Sequence, residues 1–393
     1  MHVSGKKKIV LLGMMSQMPV AGVVWQTMHY LVGFERLGYD AYYVEAHART
    51  PTMLMQHESD DSSAKAATFI SDVMRRFDFG DKWAFHALHD DGRCYGLDQA
   101  ALNELYRSAH LIINLHGGTK PLDEHAETGR LVYLETDPVQ LQIELHNNDQ
   151  WSIDFLEPHV AFFTFGENYG KPDCKLPVSD RFQFKPTRQP VVVDFWHGRA
   201  NGDPGVFTTI GNWRQQRRNV LLHKEVYSWS KHLEFSKFIE LPAKSGSRFE
   251  LALGQYNEND ERMLKAKGWN VRYAPGFTMD VDAYRDYITG SRGEFTVAKD
   301  QNVRLRSGWF SDRSATYLAA GRPVITQETG FSNVLPTGEG LFGFSSMEDI
   351  LAALDDINSD YKRHSRAAQS IARDYFNSDV VLARLLEDVG VEA

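Results

Sequence analysis

Short apolar runs bounded by glycine or polar residues alternate along this chain with longer segments whose apolar positions recur at helical spacing. KKKIVLLG (6–13) reads as a buried strand. VVWQTMHYLVGFERLG (23–38) puts Val24, Met28, Leu31, Phe34 and Leu37 on one helical face, with Gly38 as its stop. DAYYVEA follows as a second strand. Residues 50–97 are polar and aromatic by turns and predict helices and loops flanking a sheet. Three more buried strands are predicted in LYRSAHLIINLHGG (105–118), RLVYLETDP (130–138) and VAFFTFGENYG (160–170). Their ends carry chemistry: His116-Gly117-Gly118, then Glu135-Thr136-Asp137, then Glu167-Asn168.

The segment 171–190 holds four prolines and little periodicity, which predicts a linker. VVVDFW restarts the strand pattern, and a second series follows. FTTIG and NVLLHK read as strands, YSWSKHLEFSKFI as a helix, RFELALG as a strand and NENDERMLKAKG as a helix. WNVRYAPG comes next, then the helix DVDAYRDYITG and the strand EFTVAKD. In the stretch Gly308–Gly330, Ser311 predicts a helix N-cap, Gly321 the helix stop and Pro323 the opening of a return strand. The tail is helical; Ser345 and Glu348 have capping-box spacing, with Ile350, Leu351, Leu354 and Ile357 on one face.

The pattern predicts an α/β protein of two Rossmann-like, doubly wound domains facing a cleft. The expected division is 1–185, 186–375 and a C-terminal helix at 376–393. A length of 393 residues suits two such cores. Composition narrows the partners. A net charge of −9 argues against nucleic acid, which needs a basic face. No apolar run approaches the roughly 20 residues of a membrane span. With only Cys94 and Cys174, a cytoplasmic location is expected. No G-x-G-x-x-G follows the first strand, and no H-x-x-x-H or H-E-x-x-H pair occurs among 15 histidines, so neither a dinucleotide, a metal nor any other cofactor is expected. The basic aromatic stretch 212–238, with Arg214, Arg217, Arg218, Lys224, Lys231 and Lys237, reads as an exposed helix face, or as a surface that meets a membrane or an anionic acceptor.

Between Tyr273 and Gly330 several short motifs accumulate. YAPG resembles the nucleoside loop of GT-B glycosyltransferases, SGWFSDRS their diphosphate turn, and AAGRPVI their helix-to-strand step, while Gln327-Glu328 falls where donor-sugar contacts are often found. The resemblance implies a transferase moving a sugar from a nucleoside diphosphate sugar to an acceptor hydroxyl. A nucleotide-sugar epimerase or a non-catalytic nucleotide-sugar-binding protein of that fold are the alternatives. The acids of the two-glutamate branch, expected near Gly308 and Thr316, are absent. The donor candidates are Thr209, Asn212, Tyr273, Ala274, Phe277, Lys299, Arg306, Gly308, Ser311, Arg313, Ser314, Gln327 and Glu328. For an inverting course, His116, Glu135 and Asp137 are the candidates for the base.

Overall fold

The computed structural model describes residues 6–47, 49–198, 205–215 and 218–391. An eight-stranded sheet is built from β1 (Lys8–Leu12), β2 (Asp40–Ala46), β3 (Trp83–His86), β4 (Cys94–Gly96), β5 (Ala109–Leu115), β6 (Leu131–Glu135), β7 (Ala161–Thr164) and β8 (Phe184–Pro186). Its order is β4-β3-β2-β1-β5-β6-β7-β8, parallel except where β4 runs against β3. In the second half, β9 (Val206–Asn212) precedes a hairpin of β10 (Val220–Leu222) and β11 (Glu225–Tyr227). There follow β12 (Arg248–Gly254), β13 (Asn270–Tyr273), β14 (Gly293–Thr296), β15 (Val324–Gln327) and β16 (Leu341–Phe344). These form a six-stranded parallel sheet in the order β13-β12-β9-β14-β15-β16. Both sheets reverse winding beside their first strand, at β1/β5 and β9/β14. Open parallel sheets bind ligands outside the carboxyl ends of the strands at such points.

Helices cover both faces because the central strands are buried on both sides. The helix Ala21–Arg36 buries Val24, Met28, Leu31 and Phe34 against the first sheet. The last helix, Ser378–Asp388, packs on that same helix, and its Leu382, Leu385 and Leu386 complete the first sheet's core. The chain crosses between halves twice, and the crossings are tied together: Val191 N–H donates to the Phe376 carbonyl and Ser378 N–H to the Val191 carbonyl.

Several expectations need correction. The region 50–97 contributes β3 and β4 besides its helix Ser62–Arg76. The Pro-rich segment supplies an edge strand, β8, with Pro186 at its end, where a missing N–H is tolerated. VVVDFW forms a short 3₁₀ turn at Val193–Trp196, not a strand, and YSWSKHLEFSKFI contains only the short helix His232–Lys237. The strand in NVLLHK pairs in the hairpin, outside the main sheet. Between the strand EFTVAKD and Gly308, where no element was expected, the chain forms a helix, Asp300–Leu305. The capping box lies one residue later than the spacing predicted: Ser346 accepts from Asp349 N–H, and Asp349 reaches back to Ser346 N–H.

Candidate functional site

A cleft of about 660 Å³ lies between the two halves. The carboxyl ends of β5 and β6 bring His116, Glu135, Thr136 and Asp137 to one wall; Arg218, Trp229, Gln255, Lys299, Trp309 and Asp312 from the second half form the other.

His116 follows β5 with φ of +64°, a conformation uncommon for a residue with a side chain. Its Nδ1 lies 2.8 Å from the Thr136 hydroxyl, while Nε2 is buried without a hydrogen-bond partner. Burial pushes its pKa down to about 4, so the ring is neutral near pH 7. Glu135 is 2 % exposed, and burial pushes its carboxyl up to about 8. Thr164 Oγ1 at 2.6 Å and Gln142 Nε2 at 3.1 Å donate to it and only partly offset that cost. Burial also acts on Asp137, but the Lys299 ammonium at 2.9 Å outweighs it and holds the carboxyl below its ordinary value.

The opposite wall is a cation and indole assembly. Lys299 Nζ stands 3.1 Å from the centroid of the Trp229 ring, and the Arg218 guanidinium lies 4.9 Å from the same ring. Behind them Lys231 Nζ is 6.0 Å from the Trp309 ring; burial and the neighbouring Arg313 push its pKa far down. The basic stretch is therefore not one exposed face. Arg214 pairs with Asp260 and Lys237 with Glu234, Lys231 is buried, and Arg218 lines the cleft; Arg217 lies outside the described residues.

The helix start at Asp312 is built differently from the expectation. Ser311 occupies the N-cap position, but its side chain makes no capping bond; its carbonyl accepts from Gln189 Nε2 at 2.9 Å. The N–H of Arg313 turns to the Asp312 carboxyl, whose pKa burial raises. That carboxyl meets the helix end where an anion was expected. Arg313 points into the protein: Nε lies 2.6 Å from Glu294, and its other nitrogens donate to Ile210 O and Thr296 Oγ1. Ser314 is fully buried, its hydroxyl unpartnered.

Of the sequence candidates, the cleft brings together His116, Glu135, Asp137 and Lys299. Thr209 is buried behind it, bonded to Thr296. Asn212 ends β9 against Gly254. Tyr273 is 62 % exposed, whereas Ala274 and Phe277 are buried, with Phe277 packed against Tyr287. Gln327 is bonded to Glu234 and Ala298 N–H, and Glu328 to Gly330 N–H. Arg306 pairs with Asp173. Gly308, at φ +79°, lies so close to Asn168 that a Cβ would sit 2.2 Å from its nitrogen. The structure thus uses Arg306 and Gly308 in the seam between the halves. Trp229 and Gln255 line the cleft without having been singled out; Arg218 belonged to the basic stretch 212–238 and Trp309 to the SGWFSDRS motif, but neither was named as a site residue. Among the described residues, no group of three His, Cys, Asp or Glu side chains is placed to hold a metal ion, and no helix is long and apolar enough to cross a membrane.

No protein-family model and no curated protein sequence matches the chain. Solved structures do. An α-glucosyltransferase in complex with UDP superimposes with a TM-score of 0.59 at 10 % identity, covering 98 % of this chain and 100 % of that one. An α-glucosyltransferase with UDP and a 13-mer DNA carrying an HMU base gives 0.56 at 10 % identity, with the same coverage. Anabaena HepE in complex with UDP gives 0.54, again at 10 % identity and the same coverage. The chain has the GT-B glycosyltransferase fold.

Proposed function

We propose that this chain is a glycosyltransferase that moves a sugar from a nucleoside diphosphate sugar to an acceptor hydroxyl. In this reading the half up to about residue 185 holds the acceptor, residues 186–375 hold the donor, and the remaining helix braces the first half. One observation carries it: a single cleft is lined by the cations Lys299 and Arg218 and by His116, whose Nε2 makes no hydrogen bond within the protein. As the bond from the sugar's anomeric carbon to the diphosphate breaks, the electron pair passes to the leaving phosphate, where fixed cations stabilise it. Lys299 exchanges Asp137 for phosphate, and Arg218 adds a second charge. The acceptor oxygen bonds to the anomeric carbon, and its proton passes to His116 Nε2, whose proton affinity rises once a diphosphate enters the cleft. The UDP in the solved structures of this fold supports a uridine nucleotide as the first donor to try.

Thermal melting with UDP, GDP and dTDP sugars tests the donor half of the proposal; at 100 times its dissociation constant a ligand adds about 2.7 kcal/mol. Lys299→Ala abolishes that shift at the same concentration. His116→Ala keeps it but lowers kcat by about 10²–10⁴-fold. No stabilisation by any sugar nucleotide overturns the reading. Stabilisation without hydrolysis or transfer turns it toward a binding protein.

A further inference from the structure

The first-half wall carries an aromatic platform that the chemistry above leaves unused. Trp151, on the helix Gln150–Leu156, lines the cleft yet is 64 % exposed. One face of its indole lies on Phe155, with centroids 5.6 Å apart and planes 11° from parallel. Phe155 stands edge-on to Tyr133 at 5.5 Å, so the stack is anchored in the core. The indole is thus backed by the core on one face and open on the other. Exposing an indole forgoes a large burial gain, which a ligand recovers on stacking.

Beside the platform sits a fixed polar pair. Glu144 accepts from Gln140 Nε2 at 2.8 Å and from Ser152 Oγ at 2.8 Å. Both Glu144 and Gln140 line the cleft. A carboxylate offers about four acceptor sites, so two donors leave Glu144 capacity for hydroxyl groups. Charge excludes another class: among the described residues lining this wall there is no Lys or Arg, while Asp137 and Glu144 are carboxylates. Beside Trp151 an anionic acceptor would face the Glu144 carboxylate, while the cleft's cations, Lys299 and Arg218, are taken up by the diphosphate in the reading above.

We propose that the acceptor is a neutral saccharide, one ring of which stacks on the open face of Trp151 while its hydroxyls bond to Glu144 and Gln140. An apolar sugar face and an equatorial set of hydroxyls match an indole flanked by a carboxylate and an amide. The proposal rests on the donor reading above, because it assigns the sugar nucleotide to the opposite wall.

The test uses the full chain saturated with UDP and saturation-transfer NMR. The probes are neutral mono- and disaccharides, their uronate and phosphate counterparts, and simple phenols. Neutral saccharides show ring-proton saturation in the parent protein. Trp151→Ala weakens their binding about ten-fold or more, Trp151→Phe restores part of it, and Glu144→Gln weakens saccharides but not phenols. UDP stabilisation stays unchanged in all three variants, which separates this outcome from failure of the donor site. The proposal is overturned if no neutral saccharide binds, if the charged counterparts or phenols bind better, or if Trp151→Ala leaves saccharide binding intact. If UDP gives no stabilisation, the GDP or dTDP sugar that does stabilise the chain takes its place; if none does, the donor reading fails and this proposal with it.

Discussion

Glu135 and Arg313 show how a residue's surroundings change the role its type suggests. Glu135 reads as a base at a strand end, but burial raises its pKa to about 8 and keeps it protonated near neutrality. The native state therefore holds a proton that the unfolded chain has released, and stability falls as pH rises from about 4.5 to about 8. Glu135→Gln, a neutral isostere, removes that contribution; urea titrations at several pH values should show a flatter alkaline limb. Arg313 reads as a phosphate ligand, but it is the counter-ion of the wholly buried Glu294. Removing one member of a buried pair costs about 3–5 kcal/mol. Arg313→Ala should lower the urea midpoint accordingly, and an unshifted midpoint would return Arg313 to the donor site. His116, Asp137 and Lys299 were legible because polar residues ending apolar runs mark the ligand side of a parallel sheet. Arg218 was read only as one of six cations in a stretch that could meet an anion, and Trp229 and Trp151 not at all, since they come from an irregular segment and a short helix whose position depends on the whole fold.

At the scale of elements, most of the long periodic segments read correctly, although YSWSKHLEFSKFI yields only a short helix and residues 105–108, expected in a strand, close the helix Gln99–Ser108. Ala21–Arg36 and the apolar strands β1, β5 and β6 satisfy burial, period and punctuation together. The failures are short or ambiguous elements. WAFH is too brief for its alternation to register, three valines mimic a strand, and adjacent serines at 345 and 346 offer two capping registers. Helix packing also hides a requirement in Gly33. A Cβ there would lie 2.5 Å from Leu382 Cδ1 and 2.9 Å from Ser378 Cβ, where the last helix crosses Ala21–Arg36. Both contacts are buried, so the neighbours have little room to yield. Overpacking of this kind costs about 1–3 kcal/mol. Gly33→Val should destabilise the protein by that amount and make the C-terminal helix more susceptible to limited proteolysis; unchanged protection would mean that the two helices can separate without cost.

Where the chain first crosses between the halves, it packs on an uncharged histidine. His29, in the helix Ala21–Arg36, faces two donors from the crossing segment: Val192 N–H at 3.1 Å from Nδ1 and Trp196 Nε1–H at 3.1 Å from Nε2. A neutral imidazole accepts one of them; an imidazolium accepts neither. Burial, only partly opposed by Asp194, pushes its pKa down to about 3. His116, His125 and His159 are likewise pushed by burial to about 4. Below the ordinary histidine value of 6.5 the unfolded chain binds protons that the native state refuses, so the stability conferred by these rings is present above 6.5 and is lost as pH falls toward 4. Glu135 acts with the opposite sign between about 4.5 and 8. Four histidines outweigh one carboxyl on the acid side, while above 6.5 only the carboxyl of these five still titrates. Taken alone, these five groups give a steep acid limb below pH 6.5; above it Lys231, whose pKa burial pushes far down, acts with the opposite sign to Glu135 and offsets it. His29→Gln retains an acceptor for one donor and removes one proton from the acid limb. Its stability-versus-pH slope between 4 and 6.5 should fall by about one proton relative to the parent. An acid limb unchanged in this variant would show that His29 is protonated in the native state and that the junction tolerates the charge.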